Sequence, residues 1–197
     1  MKVPPILYIN LDYRTDRREQ IEAELKHFTF ERVCAIRTDP GIIGCGQSHL
    51  LCLEIAKTRG LPMVWIMEDD FTFTQPIPEV LKTLDQINEI PDVIFAAYIY
   101  MGAKPDDEMQ KEGLRTATDI QTASSYIVFE HYYDTLINNI KEGNRLLVET
   151  GEHWNYSNDQ YWKRLQICDN WAYIVPRFGI QRASYSDNAN EVTDYGF

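Results

Sequence analysis

Met63-Val64-Trp65-Ile66-Met67 runs straight into Glu68-Asp69-Asp70, five apolar residues followed by three acids. An uninterrupted apolar run of this kind reads as a strand buried on both faces. Such strands belong to sheets covered by helices on each side, and ligands gather beyond the carboxyl ends of those strands. Three consecutive carboxylates at that end repel one another unless a cation or hydrogen-bond donors compensate. Oxygen-only ligands suit a hard divalent ion such as Mg²⁺ or Mn²⁺, which keeps waters and accepts phosphate oxygens. A solvated acidic turn after a strand is the alternative reading of the same residues.

Upstream, Ile6-Leu7-Tyr8-Ile9-Asn10-Leu11 is a second buried strand, followed by a helix with Ile21, Leu25 and Phe28 inward and Thr15 as N-cap. Phe30 to Ile36 reads as a strand that Pro40-Gly41 breaks, and a helix is expected from about Ser48 to Lys57, closed by Gly60. Downstream, Pro76 and Pro78 start a helix that stops before Pro91, and Val93 to Ile99 is another buried strand. The polar stretch Gly102 to Gly113 reads as an exposed loop. A strand over Ala123 to Phe129, a helix over His131 to Ile140, a helical segment over Tyr161 to Leu165 and a strand over Tyr173 to Val175 follow. Strands alternating with helices predict an α/β fold, a single domain over 1–197 with a mainly parallel sheet flanked by helices.

Composition bounds what such a domain does. The chain has 197 residues, 44% hydrophobic, 12% aromatic and 25% charged, which are globular values and set disorder aside. Its formal net charge of −11 repels a phosphate backbone, so nucleic acid is not an expected partner. A metal ion can reverse the local field, so a small anionic ligand stays open. Cys34, Cys45, Cys52 and Cys168 form no C-x-x-C pair, which leaves no legible structural zinc site and points to buried free thiols. No run approaches the ~20 apolar residues of a membrane span, and no signal peptide is evident, so a soluble, cytoplasmic protein is expected.

Two further clusters carry chemistry. Arg14, Arg17 and Arg18 stand near the start of the first helix, against its dipole, so a diphosphate or an internal carboxylate is their expected partner. A surface cluster with Asp12, Asp16 and Glu19 is the alternative. Gly44-Cys45-Gly46-Gln47-Ser48-His49 opens the next helix with Ser48 as a possible cap. His49 suits a ligand bond, a base, or a satisfied internal histidine. In Gly151-Glu152-His153-Trp154-Asn155-Tyr156 the flat rings suit a sugar face or a partly buried core.

Three of these stretches, in order, carry a resemblance: Tyr8 through Arg17, Gly44-Cys45-x-x-Ser48-His49, and Trp65 through Asp70. Together they resemble the signatures of glycosyltransferase family 25, which includes lipooligosaccharide and procollagen galactosyltransferases and relatives in large DNA viruses. Thr122-Ala123-Ser124-Ser125-Tyr126-Ile127 is similar to that family's small-residue strand, and Pro176 through Gln181 to Ser186-Asp187 to its closing segment. The resemblance implies a GT-A-type fold, a nucleotide-sugar donor, and a divalent metal, Mn²⁺ or Mg²⁺, at the acidic motif. By position it implies Asp69 and Asp70 as metal and diphosphate ligands with Glu68 supporting them. Asn10, Leu11 and Arg14 or Arg17 would line the nucleotide pocket, and Ser48 and His49 would shape the donor site.

The chain departs from the family pattern in a shorter segment, Arg37 to Ile43, before Gly44, where Asp39 is the obvious acid. Inversion, implied by the family's β-galactosyltransferases, needs one general base at the acceptor hydroxyl. Asp159 in Ser157-Asn158-Asp159-Gln160-Tyr161 is the choice, with Glu152 and Asp187 as rivals and a helix N-cap as its structural alternative. The leading expectation is a hexose, galactose or glucose, moved from a UDP-sugar to a saccharide or hydroxylated acceptor. Residues 1–100 would form the nucleotide-sugar half and 101–197 the acceptor half. A non-catalytic nucleotide-sugar or glycan-binding module, and a metal-dependent phosphoesterase, are the alternatives.

Overall fold

In the computed structural model, which describes residues 1–101, 112–186 and 191–193, strands and helices alternate through the first half of the chain. β1 (Ile6–Asn10) leads through α1 (Thr15–Leu25) to β2 (Phe30–Cys34), and α2 (Gly41–Thr58) leads to β3 (Met63–Glu68). After β4 (Phe71–Phe73) and α3 (Ile77–Gln86) come β5 (Val93–Phe95), β6 (Ile99–Tyr100), β7 (Gly113–Thr116) and β8 (Ile120–Gln121). β9 (Ser125–Phe129) passes through a 3-10 turn into α4 (Tyr133–Thr150), then α5 (His153–Tyr156), α6 (Asn158–Tyr161) and α7 (Lys163–Cys168). β10 (Trp171–Val175), β11 (Gly179–Gln181), β12 (Ser184–Ser186) and β13 (Glu191–Thr193) follow.

The central sheet is seven-stranded, in the order β2-β1-β3-β9-β5-β10-β7. β1 pairs parallel with β2 and β3, and β10 parallel with β5, whereas β9 runs antiparallel between β3 and β5 and β7 antiparallel to β10. β1, β2, β3, β5 and β10 therefore point one way, the mainly parallel α/β sheet expected. Alternate residues take opposite faces of it. Leu7, Ile9, Val64 and Ile66 join Leu53 and Ala56 of α2 and Leu136 and Ile140 of α4. Ile6, Tyr8, Trp65 and Met67 join Ile21 and Leu25 of α1 and Val80 and Leu84 of α3. Both faces are dry, which is why β1 and β3 carry unbroken apolar runs.

Several boundaries differ from the sequence reading. α2 begins at Gly41, not Ser48, so Ser48 sits two turns inside it and caps nothing. Glycine argues against helix by propensity, but a Cβ at Gly44 would lie 2.1 Å from the Ile36 carbonyl oxygen. Tertiary contact decides this helix start. Thr15 lies inside α1, whose cap position is Arg14 with no side-chain cap bond. α4 runs to Thr150, well past Ile140, and ends on left-handed Gly151. Of the expected loop, 102–111 lies outside the described residues and Gly113 belongs to β7. All four cysteines are free as expected, but Cys34 and Cys168 are exposed rather than buried. No helix among the described residues is long and apolar enough to cross a membrane.

Candidate active site

The parallel pairing of β1 and β3 sets Ile9 opposite Glu68, so the residues after each strand emerge side by side. Antiparallel β9 starts at the same edge, where the Glu68 amide donates to the Ser124 carbonyl at 2.9 Å. β4 and β11 complete the rim. Gly179 lets them meet, since a Cβ there would sit 2.2 Å from the Thr72 carbonyl oxygen. That contact brings Gln181 beside Phe71 and lets the Arg182 amide donate to the Asp70 carbonyl at 2.6 Å.

A cleft of about 1240 Å³ opens over this edge. It exceeds the ~300–1,000 Å³ usual for one small ligand. Asn10, Leu11, Arg14, Arg17, Ser48, His49, Glu68, Asp69, Asp70 and Asp159 all line it. The sequence-derived site residues are thus brought to one place, and Asp39 and Trp154 line the same cleft. Glu152 instead accepts from Asn155 Nδ2 at 2.8 Å, and Asp187 lies outside the described residues.

The arginines divide between the partners considered for them. Arg17 is largely buried, and its Nη1 donates to Asp69 Oδ1 at 2.9 Å and to Asp70 Oδ2 at 3.0 Å. Its Nη2 reaches Ser184 Oγ at 2.6 Å and the Tyr185 carbonyl at 2.8 Å. Arg14 pairs with Asp16 and Arg18 with Glu22. Asn10 is buried and donates from Nδ2 to Asp69 Oδ2 at 2.7 Å, while its Oδ1 accepts from Arg32 Nε at 2.9 Å. Asp69 therefore has both oxygens engaged. Asp70 Oδ2 also accepts from Gln181 at 3.2 Å, but its Oδ1 is buried with no hydrogen-bond partner among the described residues.

Charge at this mouth is unbalanced. Burial first, then the neighbouring Glu68 charge, pushes the Asp70 carboxyl up to about 7, against the opposing pull of Arg17. Burial raises Asp69 as well, and Arg17 opposes it. Burial would raise Glu68 too, but the hydrogen bond and charge of His49 outweigh it and hold Glu68 low. One guanidinium, Arg17, faces the two buried carboxylates of Asp69 and Asp70, and one of their oxygens has no hydrogen-bond partner among the described residues. These residues fit a hard divalent cation at Asp70. Ligation by Asp69 would compete with the bonds its oxygens already accept from Arg17 and Asn10.

The opposite wall is lighter. Asp159 Oδ1 accepts from Ser157 Oγ at 3.1 Å and Oδ2 from the Thr122 amide at 3.4 Å. Burial is the chief reason its carboxyl stands above the ordinary range, with Glu68 adding to it. It caps no helix; Ser157 holds that position for α6. Thr122 has φ +82°, a left-handed conformation costly for a β-branched residue and typical of functional sites. Trp154 is 61% exposed, which removes the core reading.

Some residues in or behind the cleft were given no role by the sequence reading. Arg37 lies over the Tyr13 ring at 5.2 Å, forming a flat cationic wall. Arg32 orients Asn10, and Gln181 holds Asp70. The functions of these residues depend on non-local pairing, which leaves no local signal in the sequence. Ser48 is buried and accepts from the Ile36 amide at 2.8 Å while donating to the Gly44 carbonyl at 2.6 Å. It braces the cleft floor.

The fold is GT-A-like, similar to that of solved glycosyltransferases. A galactosyltransferase, LgtC, solved with donor and acceptor sugar analogs, is 9% identical with a TM-score of 0.50, covering 86% of this chain and 72% of that one. The glycosyltransferase GlyE of Streptococcus pneumoniae TIGR4 is also 9% identical at TM-score 0.50, covering 88% of this chain and 45% of its own. A197 from STIV is 10% identical at TM-score 0.50, covering 87% and 82%. At these identities the likeness is one of fold. No protein-family model matches the chain, and no curated protein matches it by sequence.

Proposed function

We propose that the chain is a glycosyltransferase, similar to family 25, that moves a hexose, galactose or glucose, from a UDP-sugar to a saccharide or hydroxylated acceptor with inversion. The observation that carries this reading is the Asn10–Asp69–Arg17–Asp70 constellation at the ends of β1 and β3, with Asp70 Oδ1 left unpaired in the cleft of a GT-A fold. Residues 1–100 hold the nucleotide sugar in this reading and 101–197 the acceptor. Asn10, Leu11 and Arg14 line the nucleotide side, and Ser48 and His49 shape the sugar pocket.

Asp70, with Glu68 or a released Asp69, would hold Mn²⁺ or Mg²⁺. When bound, that ion offsets the charge growing on the departing diphosphate. Asp159 takes the proton of the acceptor hydroxyl, whose oxygen attacks the anomeric carbon as the bond to the diphosphate breaks. A carboxyl raised by burial is a better base than an exposed one. Trp154 offers its face to the acceptor ring.

One observation favours a second reading. Arg17 Nη1 already bridges Asp69 and Asp70 as a cation would, and a metal-free, non-catalytic nucleotide-sugar or glycan-binding module needs nothing more. The test is nucleoside diphosphate release from a panel of nucleotide sugars with Mn²⁺, using the protein and Asp70→Asn. Release that needs both the metal and Asp70 supports transfer. Binding without turnover across diverse acceptors sinks it in favour of the module, and cleavage of simple phosphoesters points to a phosphoesterase.

A further inference from the structure

Beside the oxygen ligands of Asp70 lies a donor set of another kind. Cys45 and His49 stand one turn apart on α2 and leave the same face, and Glu68 meets them from the end of β3. Glu68 Oε1 is 3.1 Å from His49 Nε2 and 3.6 Å from Cys45 Sγ, and the three ligand atoms lie within 4.8 Å of one another. A tetrahedral ion bound at ~2.0–2.3 Å to nitrogen, oxygen and sulfur holds its ligands at comparable separations.

The His49 ring is already aimed. It is fully buried, and its Nδ1 lies 3.0 Å from the Tyr126 hydroxyl, the kind of outer partner that fixes a ligating imidazole. A hydroxyl donates or accepts, so Tyr126 serves either tautomer. With Nε2–H on Glu68 the hydroxyl donates to Nδ1; with a cation on Nε2 the ring proton moves to Nδ1 and the hydroxyl accepts it. Cys45, His49 and Glu68 all line the cleft, so the remaining coordination position opens into it.

One sulfur, one imidazole and one carboxylate select zinc-like ions over Mg²⁺. We propose that Cys45, His49 and Glu68 form a binding site for a zinc-class cation, open to the cleft and distinct in donor set from the oxygen site at Asp70, with Glu68 committed to the former and Asp69 left to support the latter. Binding forms metal–sulfur, metal–nitrogen and metal–oxygen bonds and releases the thiol proton to solvent. The site stands whether or not the chain transfers sugars.

Cobalt(II) is the probe. Titrated into the metal-free full chain, it should give a thiolate-to-cobalt charge-transfer band that saturates at a single equivalent, is displaced by Zn²⁺ and survives excess Mg²⁺. Cys45→Ser should abolish the band, and joint Cys34→Ser and Cys168→Ser, at the two exposed thiols, should leave it intact. Tyr126→Phe should weaken cobalt binding by ~10–100-fold without removing a ligand. A chain that gives no such band, or a band that persists in Cys45→Ser or disappears with the exposed thiols, overturns the proposal. Should Cys45→Ser fail to fold by circular dichroism, unchanged cobalt affinity in Tyr126→Phe overturns it instead.

Discussion

The two walls of the cleft are held in opposite ways. On the β1–β3 wall, Asp69 and Asp70 are tied by Asn10, Arg17 and Gln181, which come from β1, α1 and β11, and one of these donors, the Arg17 guanidinium, carries a charge and bridges both carboxylates. On the other wall, Asp159 rests on two neutral donors, Ser157 Oγ and the Thr122 amide, at the start of a single-turn helix, with exposed Trp154 on α5 nearby. Ties that crosslink three distant segments hold these carboxylates in place from several directions. A carboxylate held by one hydroxyl and one amide can be re-aimed by small changes in its loop. The first arrangement suits the part of a reaction common to all acceptors, and the second suits the part that varies.

The largest effect should come from the lighter wall. Under the proposed transfer, Asp159→Asn removes the base and should cut turnover by ~10²–10⁴-fold. UDP affinity, measured by calorimetry, should change far less than turnover, because Asp159 connects to Asp70 through two intermediaries, Thr122 and Gln181. Glu152→Gln serves as the rival: if it loses the activity while Asp159→Asn keeps it, the assignment of the walls is broken.

Arg17→Met attacks the other wall. It strands two buried carboxylates, and breaking a buried pair costs about 3–5 kcal/mol. Urea unfolding in chelator at neutral pH should show that loss, and part of it should return in acid, where protonated Asp69 and Asp70 no longer repel. A variant as stable as the original would mean that Arg17 is incidental.

Asp70 gives that wall a pH signature. Its carboxyl sits at about 7 in the folded chain against 3.8 unfolded, so between those values the folded state binds more protons. Stability should therefore fall as pH rises through this window, by at most about 1.4 kcal/mol per pH unit for one proton, and level off above it. Asp70→Asn should remove the slope and gain stability near pH 8. Mn²⁺ competes with that proton, so its affinity for the original chain should rise from pH 6 to pH 8. A flat stability profile in chelator would show that Asp70 is not short of positive charge.

The same contrast explains what the sequence disclosed. Met63 to Asp70 and Ile6 to Asp12 were legible because a strand buried on both faces is uniformly apolar, so its polar end stands out. The acids and Arg17 lie within a few residues of those ends. The second partner of Asp70 was not legible as such: Gln181 stood out only as part of the closing segment, because it arrives through the β4–β11 pairing that Gly179 permits. The direction of β9 was hidden too, since an apolar run has no arrow, yet that reversal places Thr122 beside Asp159. The start of α2 was hidden because Pro40-Gly41 reads as a break, whereas the helix begins at Gly41, two turns before Ser48, and its Gly44 closes on the Ile36 carbonyl. Arg14, Arg17 and Arg18 look alike in sequence. They differ only in which way the first turn of α1 faces.

Trp154 offers the mildest and most selective probe. Its ring is 61% exposed and packs edge-on to His153, with centroids 4.9 Å apart, so little of the core depends on it. Trp154→Ala should therefore leave stability within about 0.5 kcal/mol. If the ring is the acceptor platform, losing one aromatic face should cost roughly 1 kcal/mol, about fivefold in acceptor KM, with turnover at saturating acceptor preserved. Because Asp159→Asn lowers turnover and Trp154→Ala raises KM, the two variants separate chemistry from recognition on one wall. An equal loss in both parameters for Trp154→Ala would mean that the ring positions Asp159, and the lighter wall would then be more rigid than its hydrogen bonds imply.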